Sequence, residues 1–210
     1  MPAPWLGALA ALLFVPLFLA QGRGGGPDFW WWLSFNIVLG TAAGAWRNRA
    51  FFERLRSDLS GGTARKLGIG LLSAVFLYFF FAAGNGISRL LFSWAGGGID
   101  GVYAFKGGAS GLRIGLLMVL VIGPGEELLW RALLQDGLSA RYGRLRGFLL
   151  ATALYTGVHL FSFNPMLIAA AAVCGAFWGL LYLRFRSPLL NIVSHTLWDI
   201  GVFLLFPFSS

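Results

Sequence analysis

The sequence has 210 residues, of which 58% are hydrophobic and only 11% are charged. Soluble domains carry about 25% charged residues, so this composition excludes a water-exposed surface over most of the molecule. The 16 Lys and Arg outnumber the 8 Asp and Glu, but they lie between apolar runs as membrane orientation requires, which argues against nucleic-acid binding. The single cysteine, Cys174, excludes an internal disulfide. We therefore expect an all-α integral membrane protein that forms one domain, residues 1–210, in a lipid bilayer.

Seven apolar runs approach the roughly 20 residues that a helix needs to cross a bilayer. In chain order they cover residues 4–20, 29–46, 67–83, 112–135, the shorter 147–163, 165–185 and 188–206. Residues 87–94 are apolar but too few to cross, so we expect them along the interface. The glycine-rich residues 96–111 predict an external loop. No basic residue precedes the first run, which favours a retained helix over a signal peptide.

Basic residues are distributed unevenly among the predicted loops. The second, fourth and sixth loops hold eleven of them, namely Arg47, Arg49, Arg54, Arg56, Arg65, Lys66, Arg141, Arg144, Arg146, Arg184 and Arg186. The other loops and the flank of the fourth span hold four, namely Arg23, Arg89, Lys106 and Arg113. Since cytoplasmic loops carry the excess of Lys and Arg, we expect a cytoplasmic N-terminus and an external C-terminus.

Apart from arginines near the ends of the runs, six acidic, basic or histidine residues fall inside the apolar runs, where a charge costs roughly 2.5–3.5 kcal/mol at the bilayer centre. They are Glu126, Glu127 and Arg131 in the fourth run, His159 in the fifth, and His195 and Asp199 in the seventh. Glu127 and Arg131 stand four residues apart on one helix face, which predicts a structural ion pair. Glu126 lies about 100° away around the helix and has no partner at that spacing, which leaves it as the free carboxylate.

Depth in the membrane groups four of these side chains. At about 1.5 Å per residue, Glu126, His159, His195 and Asp199 lie roughly 11–18 Å from the cytoplasmic ends of their spans. A Gly-Pro-Gly run at residues 123–125 predicts a kink that opens the helix to water, although glycine and proline are also common in ordinary membrane helices. We therefore expect one polar site that is reachable from the cytoplasmic half of the membrane.

Three short runs carry these residues in a characteristic order. Residues 126–131 read Glu-Glu-Leu-Leu-Trp-Arg, Tyr155 precedes His159 by four positions, and His195 precedes Asp199 by four. Together they resemble the EExxxR, FxxxH and HxxxN/D motifs of the CPBP family, the CAAX-protease and bacteriocin-processing intramembrane proteases also called Abi, with Tyr for Phe. The resemblance covers a catalytic core of about residues 110–205. It implies a bundle of about seven to eight transmembrane helices with a membrane-embedded polar site.

The resemblance also implies an activity and a role for each residue. The protein would be an intramembrane endopeptidase that hydrolyses a peptide bond in a peptide or protein tail. Glu126 would activate a water molecule with help from His159. His195 and Asp199 would polarise the scissile carbonyl or stabilise the developing oxyanion, and the Glu127–Arg131 ion pair would hold the architecture. Independently of the resemblance, Asp199 lies one helical turn from His195, where it would either fix the tautomer of that histidine or keep it protonated.

Alternatives remain open for the cofactor and for the function. Metal-free catalysis of the glutamic type is favoured over zinc, which would need His159, His195 and Asp199 as ligands because the chain has only two histidines. A non-catalytic scaffold or immunity protein of the same family is one functional alternative. A proton-coupled transporter is the other, because buried acids and histidines also form proton relays.

Overall fold

The structure is a computed structural model that describes residues 4–24, 26–46 and 48–209. These residues contain nine helices. In chain order they are α1 Pro4–Gly22, α2 Phe29–Ala45, α3 Arg49–Leu59, α4 Thr63–Leu91, α5 Ala95–Tyr103, α6 Gly111–Tyr142, α7 Arg144–His159, α8 Pro165–Phe185 and α9 Pro188–Leu205. These residues contain no β-strand, so the predicted all-α class is confirmed for them. Arg47, one of the basic residues of the second predicted loop, lies outside the described residues.

Length and composition decide which of these helices can cross a bilayer. Four of the described helices are long and apolar enough, namely α1, α4, α8 and α9. A fifth crossing results if α5, with the turn that extends it, and α6 count as one span broken by a bend of 87°. The helices α2 and α7 have 17 and 16 residues and fall short of the usual length of about 20. The apolar helices indicate an integral membrane protein, while the bundle of seven to eight spans remains a prediction.

Two segments differ from the sequence prediction. Helix α4 continues through residues 87–91, so these residues are not a separate interfacial element. Residues 96–111 contain most of α5 and a 3₁₀ turn instead of an external loop. Glycine lets α5 approach α8, because a Cβ at Gly98 would meet Met166 Cγ at 2.8 Å, and Asn164 Nδ2 donates to the Gly98 carbonyl at 2.7 Å. Packing against a neighbouring helix thus outweighs the low helix propensity of glycine.

Polar caps and prolines fix the start of the two helices that follow α7. The side chains of Asn164 and Ser187 accept hydrogen bonds from backbone N–H groups in the first turns of α8 and α9. Pro165 and Pro188 follow at the first helical position, where a missing N–H costs nothing. The caps therefore set the register at which α8 and α9 present their side chains to the rest of the bundle.

Helix α6 lies at the centre of the bundle and packs against α2, α7, α8 and α9. Two glycines allow this close approach. A Cβ at Gly123 would collide with Thr196 of α9, and one at Gly125 would collide with Ile37 of α2. Helix α1 also contacts α6, since the Phe14 ring lies 5.4 Å from the Trp130 ring. Glu126, Glu127 and Arg131 in the middle of α6 are consequently buried among other helices.

The helical turns of α6 are wider than α-helical turns on both sides of Pro124. The segments Met118–Ile122 and Glu127–Gln135 form π-type turns, and Gly123–Glu126 between them is α-helical. Proline has no N–H to donate, and the wider turns accommodate this loss while the helix continues. The structure therefore shows widened turns where the sequence predicts a kink.

Candidate active site

Glu126 lies on the α-helical turn of α6 and is buried, with 7% of its surface exposed. Its Oε2 accepts a hydrogen bond from Tyr155 Oη of α7 at 3.0 Å. The Tyr155 ring is fixed by the Trp130 ring, which meets it edge-on at 5.2 Å, and by the Arg131 guanidinium, 4.9 Å from its centroid. The family motif has Phe where this chain has Tyr155. The additional hydroxyl donates a hydrogen bond to Glu126, the carboxylate that the sequence predicts to be unpaired.

Glu127 is fully buried and accepts from three side chains. Its Oε1 lies 3.0 Å from Arg131 Nη1 and 2.7 Å from His195 Nδ1, and its Oε2 accepts from Asn191 Nδ2 at 2.9 Å. The predicted ion pair with Arg131 is therefore present. Since Asn191 and His195 both belong to α9, Glu127 also joins α6 to α9, a link between helices that the sequence does not predict.

His195 lies between two carboxylates. Its Nδ1 is 2.7 Å from Glu127 Oε1, while its Nε2 is 3.5 Å from Asp199 Oδ2, one turn further along α9. The indole of Trp178 stacks on the imidazole with ring centroids 3.6 Å apart. A carboxylate that is paired with Arg131 accepts hydrogen bonds, so Nδ1 is the nitrogen that donates to Glu127. Glu127 is thus the closer of the two carboxylates and orients this imidazole, while the role of Asp199 stays a prediction.

His159 approaches the same region from the end of α7. Its Nδ1 lies 2.7 Å from the Tyr155 carbonyl, which can only accept, so this nitrogen donates and Nε2 remains for other partners. The imidazole packs against the rings of Phe18 and Tyr155, with centroids 4.2 and 4.9 Å away. Backbone hydrogen bonding and aromatic packing together therefore fix the orientation of His159.

One cavity of about 140 Å³ brings the four predicted side chains together. Glu126, His159, His195 and Asp199 all line it, as does Tyr155. Most of the remaining lining is apolar and comes from α1, α2, α5, α6, α8 and α9. A cavity of this volume has room for several water molecules, and the polar side chains supply the partners that water needs. The arrangement can hold water against a carboxylate in otherwise apolar surroundings.

Two residues of the site are not singled out by sequence reasoning. Asn191 donates to Glu127, and Trp178 stacks on His195. Asn191 stands four positions before His195 in an apolar run, so the helical spacing that groups His195 with Asp199 also indicates Asn191. Trp178 is one of nine tryptophans and carries no comparable signal.

The predicted zinc ligands are oriented by other groups. Residues 4–24, 26–46 and 48–209 contain no group of three or more His, Cys, Asp or Glu side chains that could hold a metal ion. His159 and His195 both use Nδ1 in hydrogen bonds, so a metal would have to bind their Nε2 atoms. Metal-free catalysis remains a prediction that requires a direct test.

Comparison with known protein families places the candidate site inside a recognised domain. Residues 108–201 match the family model described as Rce1-like, a type II CAAX prenyl endopeptidase. This range includes Glu126, Glu127, Arg131, His159, His195 and Asp199. Neither curated proteins nor solved structures gave a match to the chain. The family match supports an intramembrane protease in general terms.

Proposed function

We propose that this chain, whose residues 108–201 form an Rce1-like type II CAAX prenyl endopeptidase domain of the CPBP family, is an intramembrane endopeptidase. It hydrolyses a peptide bond in a peptide or protein tail that enters from the membrane or its cytoplasmic face. The observation that carries this proposal is the convergence of Glu126, His159, His195 and Asp199 on one cavity. Ionisable groups are costly in apolar surroundings, so four of them around a shared space support a chemical role.

Glu126 acts as the general base in this proposal. It removes a proton from a water molecule in the cavity as the water oxygen attacks the scissile carbonyl carbon. Tyr155 Oη, 3.0 Å from Oε2, holds the carboxylate in place, and His159 Nε2 gives the water a second partner. Glu126 then returns the proton to the leaving amine, so that the base is regenerated at the end of each turnover.

His195 stabilises the negative charge that develops on the carbonyl oxygen. As an imidazolium it donates from Nδ1 to Glu127 and retains an N–H at Nε2. The 3.5 Å distance from Nε2 to Asp199 Oδ2 is at the limit of a hydrogen bond, so Nε2 is available to the substrate oxygen. A donor that is already oriented costs no reorganisation during the reaction. Stacking on Trp178 and the bond to Glu127 provide this orientation.

The direct test is cleavage by the purified protein in liposomes. Quenched fluorescent peptides that end in a CAAX-like sequence, with and without a prenyl group, are incubated with wild type and with Glu126→Ala. We expect cleavage by wild type and none by the variant. Proton flux across the liposome membrane without cleavage would instead identify a transporter, and the absence of both activities would leave the scaffold alternative.

Metal dependence can be tested with the same preparation. We expect elemental analysis to find less zinc than one atom per chain, and a chelator to leave the cleavage rate unchanged, because Glu126 supplies the base without a metal. Activity that disappears with chelator and returns with added zinc would show instead that His159, His195 and Asp199 hold a metal ion.

The hydroxyl of Tyr155 should affect turnover more than substrate binding. Tyr155→Phe removes the hydrogen bond to Glu126 but keeps the ring between Trp130 and Arg131, so we expect kcat to fall about tenfold with little change in KM. Tyr182→Phe is the matched control, because its hydroxyl also donates to a buried carboxylate, Asp136 Oδ2 at 3.1 Å, outside the cavity. Equal losses in the two variants would contradict a specific role for Tyr155.

A further inference from the structure

We propose that the bundle binds the phosphate headgroup of an anionic lipid in a second cavity, at the end that carries most of the basic loop residues. This cavity has a volume of about 440 Å³ and lies between α3, α6, α7 and the turn after α8. Three arginines from three different elements line it, namely Arg54, Arg144 and Arg186. It shares no lining residue with the candidate active site, so the proposal does not depend on protease activity.

The cavity has an excess of positive charge. Among the described residues that line it, Asp136 is the only acidic one, and three arginines against one carboxylate leave a formal charge of +2. Asp136 is buried, with Oδ1 2.7 Å from Arg186 Nη1 and Oδ2 3.0 Å from Arg54 Nη1. These two arginine side chains remain 44% and 43% exposed, so their guanidinium groups keep N–H donors for a further anion.

The two acidic residues of α3, Glu53 and Asp58, do not line the cavity. Asp58 lies 2.8 Å from Lys66 Nζ, and its Oδ2 accepts from the Leu189 N–H at the start of α9 at 2.8 Å. Arginine groups from separate helices suit a tetrahedral phosphate, because each planar guanidinium can donate two parallel hydrogen bonds to its oxygens. The charge and the donor geometry together favour a phosphate group over a neutral ligand.

Helix α3 indicates that the phosphate belongs to a lipid. Phe51 of α3 is buried in the core, whereas Phe52 and Leu59 are 56% and 62% exposed beside the exposed Arg49 and Arg56. Exposed apolar and basic residues on one short helix are typical of a segment in the membrane interface. Basic pockets between membrane helices bind anionic headgroups at this level. A cavity bounded by α3 thus lies where lipid headgroups are present.

Binding of defined lipids to the purified protein tests the proposal. The protein is prepared in uncharged detergent, and lipid binding is measured by native mass spectrometry and by the melting temperature, with phosphatidylglycerol, phosphatidylcholine or inorganic phosphate added separately. We expect phosphatidylglycerol to bind and to raise the melting temperature, and phosphatidylcholine to do neither. An equal rise with inorganic phosphate alone would overturn the lipid assignment in favour of a soluble phosphate.

A pair of matched variants separates a site from general charge attraction. Arg144→Gln and Arg146→Gln remove one positive charge each from the first turn of α7, but only Arg144 lines the cavity. We expect phosphatidylglycerol to bind Arg144→Gln about fivefold more weakly, the effect of one basic residue at a membrane surface, and to bind Arg146→Gln as it binds wild type. Equal weakening in both variants would overturn the proposal.

Asp136→Asn provides a test with the opposite sign. It removes the only acidic group of the lining and should tighten phosphatidylglycerol binding about fivefold, even if the protein without lipid melts at a lower temperature. If the three arginines served only to neutralise Asp136, this variant would lose stability with no gain in lipid affinity, and that result would contradict the site. Should this variant not fold, the comparison of Arg144→Gln with Arg146→Gln decides.

Discussion

Replacing Glu126 with glutamine is expected to lower peptide turnover at least about 100-fold, the lower end of what a positioned general base contributes. Glutamine has the same shape, and its Oε1 can still accept the hydrogen bond that Tyr155 Oη donates at 3.0 Å. It cannot take a proton from water. The loss should therefore appear in kcat, while KM and the melting temperature change little. Initial rates and thermal unfolding of the same preparation measure these quantities.

The control for this substitution is Glu53→Gln. Glu53 is an exposed carboxylate on α3 and lines neither cavity, so the same chemical change there should leave turnover unchanged. A Glu126→Gln variant that cleaves at more than a tenth of the wild-type rate would show that another group activates the water. A variant that no longer folds would show that Glu126 has a structural role, which its one side-chain hydrogen bond within the described residues, to Tyr155, does not predict.

Replacing Arg131 with methionine should destabilise the fold by about 3–5 kcal/mol, the usual result when one partner of a buried ion pair is removed. Glu127 has no solvent exposure and would lose its cation, and the guanidinium contacts with the Tyr155 and Trp178 rings would also be lost. Unfolding by denaturant or heat in detergent measures the loss. Arg184→Met, at the exposed end of α8, removes the same charge and should have a small effect.

A double variant separates lost charge pairing from lost packing. Glu127→Gln combined with Arg131→Met buries no unpaired charge, so it should be more stable than Arg131→Met alone. His195 and Asn191 bond to different oxygens of Glu127, and glutamine keeps only one of these acceptors, so the double variant retains one of the two hydrogen bonds. If the double variant were the less stable of the two, packing by the guanidinium rather than charge pairing would hold the helices.

Features that depend on neighbouring positions in the chain could be predicted from the sequence. The seven apolar runs correspond to seven helices of the described structure, and four of these helices are long and apolar enough to cross a bilayer. The Glu127–Arg131 pair follows from spacing within one helix, which is independent of how the helices pack. The order of three motifs was sufficient to indicate the family that residues 108–201 match.

Features that depend on helix rotation could not be predicted. The bonds from Tyr155 to Glu126 and from His195 to Glu127 join different helices. Membrane helices are apolar on every side, so hydrophobic periodicity does not show which face meets which neighbour. The sequence also does not predict α5. Its close contact with α8 at Gly98 depends on how the helices pack.

The carboxylate of Glu127 has both a structural role and a role in the proposed reaction. It pairs with Arg131 within α6, and it orients His195 of α9, to which we assign a role in the reaction. Substitutions at Glu127 should therefore change thermal stability and turnover together. In related sequences, we expect residues 127, 131, 191 and 195 to covary. Laboratory evolution for heat resistance should accordingly select substitutions on lipid-facing surfaces such as that of α4, where exposed Phe76 and Phe79 lie outside this network.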